Sequence, residues 1–426
     1  MISFPDCSLR SKVVAGFPVC GLFLCGSAGG GIYLRDEEYM RHALMLASYA
    51  RGRTSPNPMV GAVLVRDGEI VGQGWHRQAG TPHAEIHALR QAGELAKGAT
   101  LYVTLEPCCH QGRTGPCTEA IIQAGVRRVV MAMTDPNPLV AGCGSQRLRE
   151  AGVEVEEGLL SCEAALLNEV FIKGISTGMP FVVMKAAMTL DGKIASHTGH
   201  SQWITGEAAR LEVHRLRNEY DAILVGVGTA IADDPQLTTR LPEGGRNPIR
   251  IVLDSKGRLP LNSKLLCDGE APTWIAVTQA APQERVAALQ ERAEVIVLPA
   301  DERGGVDIRA LCLHLRQERQ LTSIFVEGGS AVHGSFLSAG VVDKVHFFMA
   351  PKLIGGCEAP GPIGGLGCSL MDQAVPLEEL TVKNIGNDLW ISAYVATSEG
   401  GPRCLPDLWK NWVKSNPLPR EPSQRV

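Results

Sequence analysis

Four residues in the first third of the chain have the types and spacing of a catalytic zinc site. His83 and Glu85 form an H-x-E pair, and Cys108 and Cys117 follow after a short apolar stretch. Structural zinc usually has four protein ligands, whereas catalytic zinc has three and leaves one position for water. We therefore predict that His83, Cys108 and Cys117 bind zinc, and that Glu85 is the catalytic residue that carries protons.

His87 offers a second histidine four residues after His83, as in the H-E-x-x-H motif of zinc proteases. Two residues turn an ideal helix by roughly 200°, so Glu85 would point away from a metal held by both histidines. The protease interpretation therefore fails. His87 is then expected to be an ordinary residue of the helix, either packed against its neighbours or at the surface. A helix that begins at Thr81-Pro82 would place His83 in its first turn, where His83 and Glu85 can converge.

The two cysteines are predicted to lie at the end of a strand and the start of a helix. Residues 101–106 predict a strand that Pro107 ends, and residues 118–123 predict a helix, whose N-terminus favours a thiolate. Cys109 competes with Cys108 as a ligand, but Cys108 follows Pro107 directly, and Cys109 is then a small buried residue. A structural zinc site would instead need a fourth ligand, such as Cys109 or His110.

Composition excludes several other classes of protein. A chain of 426 residues predicts two or three domains, and its net charge of −4 provides no broad basic field, so nucleic acid is not the expected partner. The 13 cysteines are odd in number and scattered, which favours free and zinc-bound thiols in the cytoplasm over a disulfide framework. No segment is predicted to span a membrane.

The N-terminal segment has some features of a targeting signal. Arg10 and Lys12 precede an uncharged run from Val13 to Leu34, but Pro18 and several glycines interrupt it. A targeting segment is the alternative; residues 1–33 are otherwise predicted to be an N-terminal extension.

Alternating helices and strands after Asp36 predict an α/β architecture around the zinc motif. The pattern predicts a helix to Arg51, a hairpin at Asp67-Gly68, and a strand over residues 126–133 in addition to the elements above. The Pro- and Asn-rich loops at residues 54–58 and 135–138 are candidates for substrate contact. Asn57 and His76 are the candidates for binding a pyrimidine; otherwise they are a turn-forming Asn and a partly buried His.

A second domain is predicted after residues 176–180. Apolar strands that alternate with helical segments indicate a mainly parallel sheet. The predicted strands include residues 181–186, 220–226, 248–254, 273–278, 294–298 and 323–327. The turn from Glu327 to Ser335 joins a strand to a helix, and its glycines would allow backbone N–H groups to approach an anion. This turn alone is a weak indication of nucleotide binding.

The zinc motif matches the H-x-E and P-C-x-x-C signature of zinc nucleobase deaminases at all but one point. Eight residues separate Cys108 from Cys117, and with this longer loop the chain resembles the RibD family of bifunctional riboflavin biosynthesis proteins. Further motifs occur in that family's order, namely residues 54–61, 72–76, 83–88, 135–138, 188–195, 201–205, 228–238 and 326–329. The resemblance covers residues 36–396.

The resemblance implies the fold of each half. The expected architecture is α/β, with a cytidine-deaminase-like α/β/α domain at residues 34–178 and a dihydrofolate-reductase-like α/β domain at residues 179–397. Residues 398–426 form a tail that matches no recognised motif.

The resemblance also implies the sites of the second domain. It assigns NADPH binding to Ala187, Trp203, Thr229, Asp233, Ser255, Gly329, Ser330, Ala331, Val332, His333, Gly334 and Ser335. It assigns substrate binding to Ser201, Arg217, Leu237, Arg240 and Glu327. The two arginines suit a ribose phosphate, because a guanidinium binds phosphate through a planar fork.

The implied function is a pair of consecutive reactions on a small phosphorylated pyrimidine. Zinc-dependent deamination of a diaminopyrimidinone ribosyl phosphate would be followed by NADPH-dependent reduction of its ribosyl to a ribityl chain. A homo-oligomer is also expected. The alternative is a nucleoside or transfer-RNA deaminase fused to an unrelated domain. No residue stands out as the proton donor of the reduction.

Overall fold

The computed structural model describes residues 30–110, 115–137 and 140–396, with the side chains described from residue 35 onwards. The possible targeting segment up to residue 29, the centre of the zinc loop at residues 111–114, Pro138 with Leu139, and the tail from residue 397 lie outside the described residues. No described helix is long and apolar enough to cross a membrane.

The first half of the described chain forms a five-stranded sheet with helices on both faces. Its elements are α1 (Gly30–Ser48), β1 (Gly61–Arg66), β2 (Glu69–Trp75), α2 (Ala84–Ala92), β3 (Thr100–Val103), α3 (Cys117–Gln123), β4 (Arg128–Met131), α4 (Cys143–Glu150), β5 (Glu154–Glu157), α5 (Ser161–Leu167) and α6 (Glu169–Thr177). The strand order is β2-β1-β3-β4-β5. β1 is antiparallel to both neighbours, and β3, β4 and β5 are parallel.

The second half forms a nine-stranded sheet. Its elements are β6 (Phe181–Thr189), α7 (Glu207–Glu219), β7 (Ala222–Gly226), α8 (Val227–Asp233), β8 (Ile249–Leu253), α9 (Lys264–Cys267), β9 (Thr273–Val277), α10 (Gln283–Gln290), β10 (Glu294–Val297), α11 (Ile308–Gln317), β11 (Ser323–Gly328), α12 (Ser330–Ser338), β12 (Lys344–Ala350), β13 (Leu377–Ile385) and β14 (Asp388–Val395). The strand order is β10-β9-β8-β7-β11-β6-β12-β14-β13, with parallel pairing as far as β12 and antiparallel pairing beyond it.

Apolar residues from both sheets form the core. One cluster joins α2, α3 and α4 to the first sheet, and includes Ala88, Ile121 and Leu148. The opposite face, with Ala43 and Ala164, belongs to a cluster that continues into the second sheet. The first domain is therefore an α/β/α sandwich whose core is continuous with that of the second domain.

The predicted elements are confirmed in type, but several boundaries are wrong, among them the end of β3, which is Val103 instead of residue 106. Asp67 and Gly68 form the hairpin turn with φ of 52° and 83°, which suits an Asp-Gly pair. α2 begins at Ala84 instead of at Thr81-Pro82, so His83 is the extended N-cap residue and lies just outside the first turn. The prediction also ended α1 three residues late, at Arg51, and did not include the antiparallel strands β13 and β14.

Candidate active sites

The three predicted zinc ligands lie together between the start of α2 and the start of α3. One donor atom from each of His83, Cys108 and Cys117 lies within 4.8 Å of the other two. His83 Nδ1 is 3.6 Å from Cys108 Sγ and 3.3 Å from Cys117 Sγ. One imidazole and two thiols match the donors that zinc prefers. Within the described parts of the chain, no fourth His, Cys, Asp or Glu joins this group.

The N-terminus of α3 stabilises a thiolate at Cys108. The Cys117 backbone N–H donates to Cys108 Sγ at 3.4 Å, and the Thr118 N–H donates to the Cys108 carbonyl at 3.2 Å. Hydrogen bonding to Cys117 and to His83 lowers the pKa of Cys108 despite its burial. This arrangement agrees with the expected helix effect, and a thiolate is the form that binds metal.

Glu85 is buried in the first turn of α2, beside the ligand group. Its side chain has an Oε2 atom without a hydrogen-bond partner among the described residues. Burial raises the pKa of Glu85. The nearby His83 acts to lower this pKa, but its effect is smaller. A buried carboxyl with an open acceptor next to a His-Cys-Cys set fits a zinc ion with an exchangeable position, because the carboxyl can receive and return a proton there.

The three residues considered as alternative or additional ligands do not join this group. His87 is one turn further along α2, and its Cβ lies 2.4 Å from the position that a Cβ on Gly74 would take, so it packs on β2. Cys109 is half-buried, and its pKa is raised by burial and by Cys143. His110 is exposed.

The two predicted pyrimidine-binding residues contact each other next to the zinc ligands. Asn57 Nδ2 is 3.2 Å from His76 Nε2, and the ring centroids of His76 and His83 are 5.4 Å apart. His76 is buried, which lowers its pKa, while the Pro82 carbonyl near Nδ1 has the opposite effect. An amide and an uncharged imidazole at this place could donate to or accept from a pyrimidine edge.

Glu106 is a site residue that sequence reasoning missed. Its Oε1 accepts from the N–H groups of Gly144 and Ser145 at 2.8 and 3.0 Å, and its Oε2 accepts from those of Asp135 and Gly142, both at 3.0 Å. The carboxylate therefore joins the loop before α4 to the strand end that carries Pro107 and Cys108. Its partners are all backbone groups. The only sign in the sequence that Glu106 is a site residue is therefore a negative charge within a stretch that is otherwise predicted to be buried.

The residues assigned to NADPH lie at the carboxyl ends of neighbouring parallel strands. Ala187 lies towards the end of β6, Thr229 and Asp233 lie on α8 after β7, Ser255 follows β8, and the Gly329–Ser335 segment follows β11. β8, β7, β11 and β6 are consecutive in the sheet. This edge is where open α/β sheets bind ligands. The first turns of α8 and α12 are in close contact, because a Cβ on Gly329 would lie 3.2 Å from Thr229 Oγ1.

The assigned segment of α12 divides into an open turn and a packed turn. Ala331 is exposed, and Ser330 and Val332 are half-buried. His333 Nδ1 is 2.8 Å from the Pro362 carbonyl, and a Cβ on Gly334 would lie 2.1 Å from the Gly364 carbonyl oxygen. The N–H groups of the first turn are therefore better placed to meet an anion than the side chains of His333 and Gly334.

Glu327 is the centre of a buried charged cluster at the same edge. Arg217 donates from Nε to Glu327 Oε1 at 2.5 Å and from Nη2 to Oε2 at 3.0 Å, and Lys185 Nζ lies 3.4 Å from Oε2. Burial acts to raise the pKa of Glu327, but Arg217 and Lys185 outweigh it and lower the pKa to about 2. Lys185 was missed at the sequence level, although a Lys within an apolar strand needs a partner.

Arg240 is the more available of the two predicted phosphate-binding arginines. The Arg217 guanidinium also donates to the Thr238 carbonyl at 3.0 Å, whereas Arg240 donates from Nη1 to Thr238 Oγ1 at 3.0 Å. Burial and the Arg217 charge lower the pKa of Arg240. His214 accepts from the Arg240 N–H, and burial followed by Arg217 and Arg240 lowers its pKa to about 4.

The remaining predicted residues lie on loops around this cluster. Leu237 is buried with φ of 53°, a backbone conformation that non-glycine residues rarely adopt and that often occurs at binding sites. Trp203 is 63% exposed, and the Arg210 guanidinium lies 4.7 Å from its ring centroid. Ser201 is half-buried in the same loop as Trp203.

Two family models match the chain in the order of its two sheets. Residues 34–133 match the cytidine and deoxycytidylate deaminase zinc-binding region. Residues 180–391 match the RibD C-terminal domain. Together with the His-Cys-Cys group and the carboxyl-edge site, they define a zinc-dependent deaminase joined to an NADPH-dependent reductase.

Whole-length relatives have the same combination of domains. The chain is 45% identical over 379 residues to the riboflavin biosynthesis protein RibD of Bacillus amyloliquefaciens, covering 88% of this chain and 100% of that protein. The solved RibD structure from Acinetobacter baumannii is 39% identical with a TM-score of 0.77, covering 86% of this chain and 100% of that one. The chain therefore belongs to the RibD family, and it is a bifunctional deaminase and reductase of riboflavin biosynthesis.

A solved structure from Thermotoga maritima is named for both activities. It is a diaminohydroxyphosphoribosylaminopyrimidine deaminase/5-amino-6-(5-phosphoribosylamino)uracil reductase, 38% identical with a TM-score of 0.76. It covers 86% of this chain and is itself covered completely.

Proposed function

We propose that this chain deaminates 2,5-diamino-6-(5-phosphoribosylamino)pyrimidin-4-one and then reduces the ribosyl group of the resulting 5-amino-6-(5-phosphoribosylamino)uracil to a ribityl chain. The observation that carries the first step is the buried Glu85 carboxyl, whose Oε2 has no hydrogen-bond partner in the described part of the chain, beside the His83, Cys108 and Cys117 donors. The charged Glu327 cluster at the carboxyl edge of the second sheet supports the second step.

In the first step, the proposed role of Glu85 is proton transfer. His83, Cys108 and Cys117 would hold zinc, which would supply a Lewis acid able to make water nucleophilic at neutral pH. Glu85 takes a proton from that water as oxygen adds to the ring carbon that bears the amino group, and then delivers protons to the ring nitrogen and the leaving amine. Ammonia leaves and a carbonyl forms. Asn57 and His76 hold the pyrimidine.

In the second step, the residues of this chain position the substrate and supply a proton. NADPH supplies the hydride that reduces the ring-opened ribose carbon. The first turn of α12, with Thr229, Asp233 and Ser255, would hold the cofactor, and Ala187 and Trp203 would flank it. Ser201, Leu237 and Arg240 would contact the substrate, with Arg240 on its phosphate, while Arg217 fixes Glu327. The remaining assigned residues of α12, including Gly329, His333, Gly334 and Ser335, shape that turn.

Lys185 is our candidate for the proton donor of the reduction. Its ammonium lies 3.4 Å from Glu327 Oε2, inside the charged cluster. An ammonium can donate to the oxygen or nitrogen that becomes negative as hydride arrives. Lys185→Met should therefore retain NADPH binding and lose reduction, and normal turnover by this variant would exclude the role.

A single assay tests the two-step function. The diaminopyrimidinone ribosyl phosphate is supplied with and without NADPH, and ammonia release and NADPH oxidation are followed separately. We expect ammonia in both reactions and NADPH oxidation only after ammonia release. Ammonia without any NADPH oxidation would instead support a lone deaminase of the alternative class, and neither signal would contradict both activities.

We propose the domain limits as residues 34–178 and 179–397, with extensions at residues 1–33 and 398–426. α6 ends at Thr177 and β6 begins at Phe181, which supports a division between them. A cytoplasmic location remains a prediction. It is supported by the nine described cysteines, which are all free, since zinc-binding thiols must stay reduced.

We also propose a homo-oligomer that forms through β13, the edge strand of the larger sheet. Leu380 and Val382 on this strand are 61% and 54% exposed. An antiparallel pair of two β13 strands centred on Thr381 would place Leu380 opposite Val382 and Glu379 opposite Lys383. Two copies of this strand would therefore pair an apolar residue with an apolar residue and an acidic residue with a basic one.

Molar mass in solution tests this interface. The full chain should be a dimer or a larger even-numbered oligomer by light scattering. Val382→Glu should dissociate it by placing a buried charge opposite Leu380 of the partner strand, whereas Val297→Glu, at an exposed position of β10 on the opposite edge, should not. A monomeric wild type, or equal dissociation by both variants, would contradict the proposal.

A further inference from the structure

The loop that carries Asn57 is held from outside its own domain. Ser55 Oγ donates to Asp221 Oδ2 at 2.7 Å and lies 3.0 Å from Thr322 Oγ1. Asp221 directly precedes β7, and Thr322 directly precedes β11. The loop of the deaminase domain therefore binds the amino ends of two reductase strands, whereas the residues assigned to NADPH lie at the carboxyl ends.

The reductase side of this contact is preorganised. Asp221 and Thr322 are 5% and 4% exposed. Asp221 Oδ2 also accepts from the Thr322 N–H at 2.8 Å and from Thr322 Oγ1 at 2.6 Å, and Ser323 Oγ accepts from the Asp221 N–H at 2.9 Å. The carboxylate is thus fixed by its own domain, and the Ser55 hydroxyl approaches an acceptor that is already oriented.

Contacts on both sides of Ser55 hold the rest of the loop. Gly52 has φ of 68°, and a Cβ there would lie 2.2 Å from the Asn218 carbonyl oxygen near the end of α7. Met59 donates its N–H to Asn168 Oδ1 at 2.8 Å and accepts from Asn168 Nδ2 at 2.9 Å. The loop is therefore fixed at Gly52, Ser55 and Met59. Asn57 lies between the last two of these points.

We propose that Ser55, Asp221 and Thr322 form a latch between the domains that positions Asn57 in the deaminase site. The three residues are positioning residues, because they act through Asn57 and do not touch the pyrimidine. Loops exposed to solvent are mobile unless tied down, and only a fixed loop can present the Asn57 amide at a constant distance from His76 and the substrate. The reductase domain thereby completes the substrate site of the deaminase domain.

This inference rests on the proposed role of Asn57 in pyrimidine binding. A latch that holds a binding group, and not a proton carrier, should affect substrate affinity before it affects chemistry. The expected signature is a raised KM for deamination with little change in kcat. A change on the reductase side of the contact should give the same signature in the deaminase reaction.

The test uses full-length, zinc-loaded variants and measures the two reactions separately. Ser55→Ala and Thr322→Val should each raise the KM for deamination about tenfold, with kcat and zinc content close to those of the wild type. Reduction of the deaminated substrate should be unchanged, and Ser55→Thr should restore the KM because it keeps the hydroxyl. Ser48→Ala is the matched control, since it removes a hydroxyl that bonds only to the Met45 carbonyl within the same helix.

The outcomes separate the latch from the role of Asn57. If Asn57→Ala raises the deamination KM but Ser55→Ala and Thr322→Val do not, the latch is wrong and the role of Asn57 stands. If Asn57→Ala itself leaves the KM unchanged, the proposed pyrimidine contact fails. Equal losses of deamination and reduction in Ser55→Ala and Thr322→Val would indicate general misfolding and would overturn the positioning role.

Discussion

Replacing Glu106 by Gln should open the loop beside the zinc ligands. Each carboxylate oxygen accepts two backbone N–H bonds at 2.8–3.0 Å, from Gly144 with Ser145 and from Asp135 with Gly142. A Gln amide has one acceptor oxygen, so whichever way it turns, two bonds are lost and an NH2 group faces two donors. Hydrogen bonds to a charged group contribute about 1.5 kcal/mol or more each, which gives a loss of at least about 3 kcal/mol.

Hydrogen exchange measures this loss locally. A change of about 3 kcal/mol corresponds to roughly 150-fold faster opening, so amides in residues 142–150 of Glu106→Gln should exchange at least about 100 times faster than in the wild type. Zinc content should fall as well, because Glu106 is separated from Cys108 by Pro107 alone. Glu119→Gln is the matched control: it removes the charge of a carboxylate whose side chain is 39% exposed and which pairs with the Arg147 side chain, not with the backbone. Wild-type exchange in residues 142–150 of Glu106→Gln would refute this account of the loop.

Three further predictions concern the catalytic and charged groups. Glu85→Gln should retain zinc, measured by metal analysis, but release ammonia at least about 100-fold more slowly, because the amide cannot carry protons; wild-type release would exclude Glu85 as the proton carrier. Arg240→Ala should raise the KM for the phosphorylated substrate about tenfold and leave that for NADPH unchanged, and equal losses would remove Arg240 from the phosphate site. The pKa of His214 is about 4 in the folded protein against 6.5 when unperturbed, so the unfolded chain binds more protons between these values and stability falls as the pH drops from 6.5 to 4. The Tm of His214→Gln should therefore fall less than that of the wild type between pH 7 and pH 4.5. An equal fall in both proteins would show that His214 does not contribute to the pH dependence of stability.

The zinc site was predictable because its ligands are chemically distinctive and lie within a short stretch of sequence. The prediction of His83, Cys108 and Cys117 as ligands required only the assumption that the end of a strand and the start of a helix come together. Glu106 was not predictable in the same way, since its partners are backbone N–H groups that leave no side-chain pattern. Lys185 was visible as a charge within an apolar strand, but only the pairing of β6 with β11 shows that Glu327 is its partner.

Long-range contacts and exposed strands account for what was missed in the fold. Ser55 and Asp221 are 166 positions apart, and neither residue type indicates the other. The parallel strands β5 and β12 were not predicted, but β3, β4 and β6 to β11 were recognised because they are continuous apolar runs. β13 was not, because most of its residues are exposed and it lacks the alternation that one buried face produces. The residues assigned to NADPH came from the family resemblance, and the structure brings those on β6, on α8, after β8 and on α12 to one edge of the sheet.

The two ends of β11 belong to different functional features of the protein. Thr322, before the strand, holds the deaminase loop, whereas Glu327, near its end, belongs to the reductase cluster. Five residues of extended chain span roughly 17 Å, so the contact with the deaminase loop and the reductase cluster lie at opposite ends of one strand. Joining the domains in one chain supplies both activities in equal amounts. Under the proposed latch it also braces the deaminase loop, through the end of β11 that lies away from the reductase cluster.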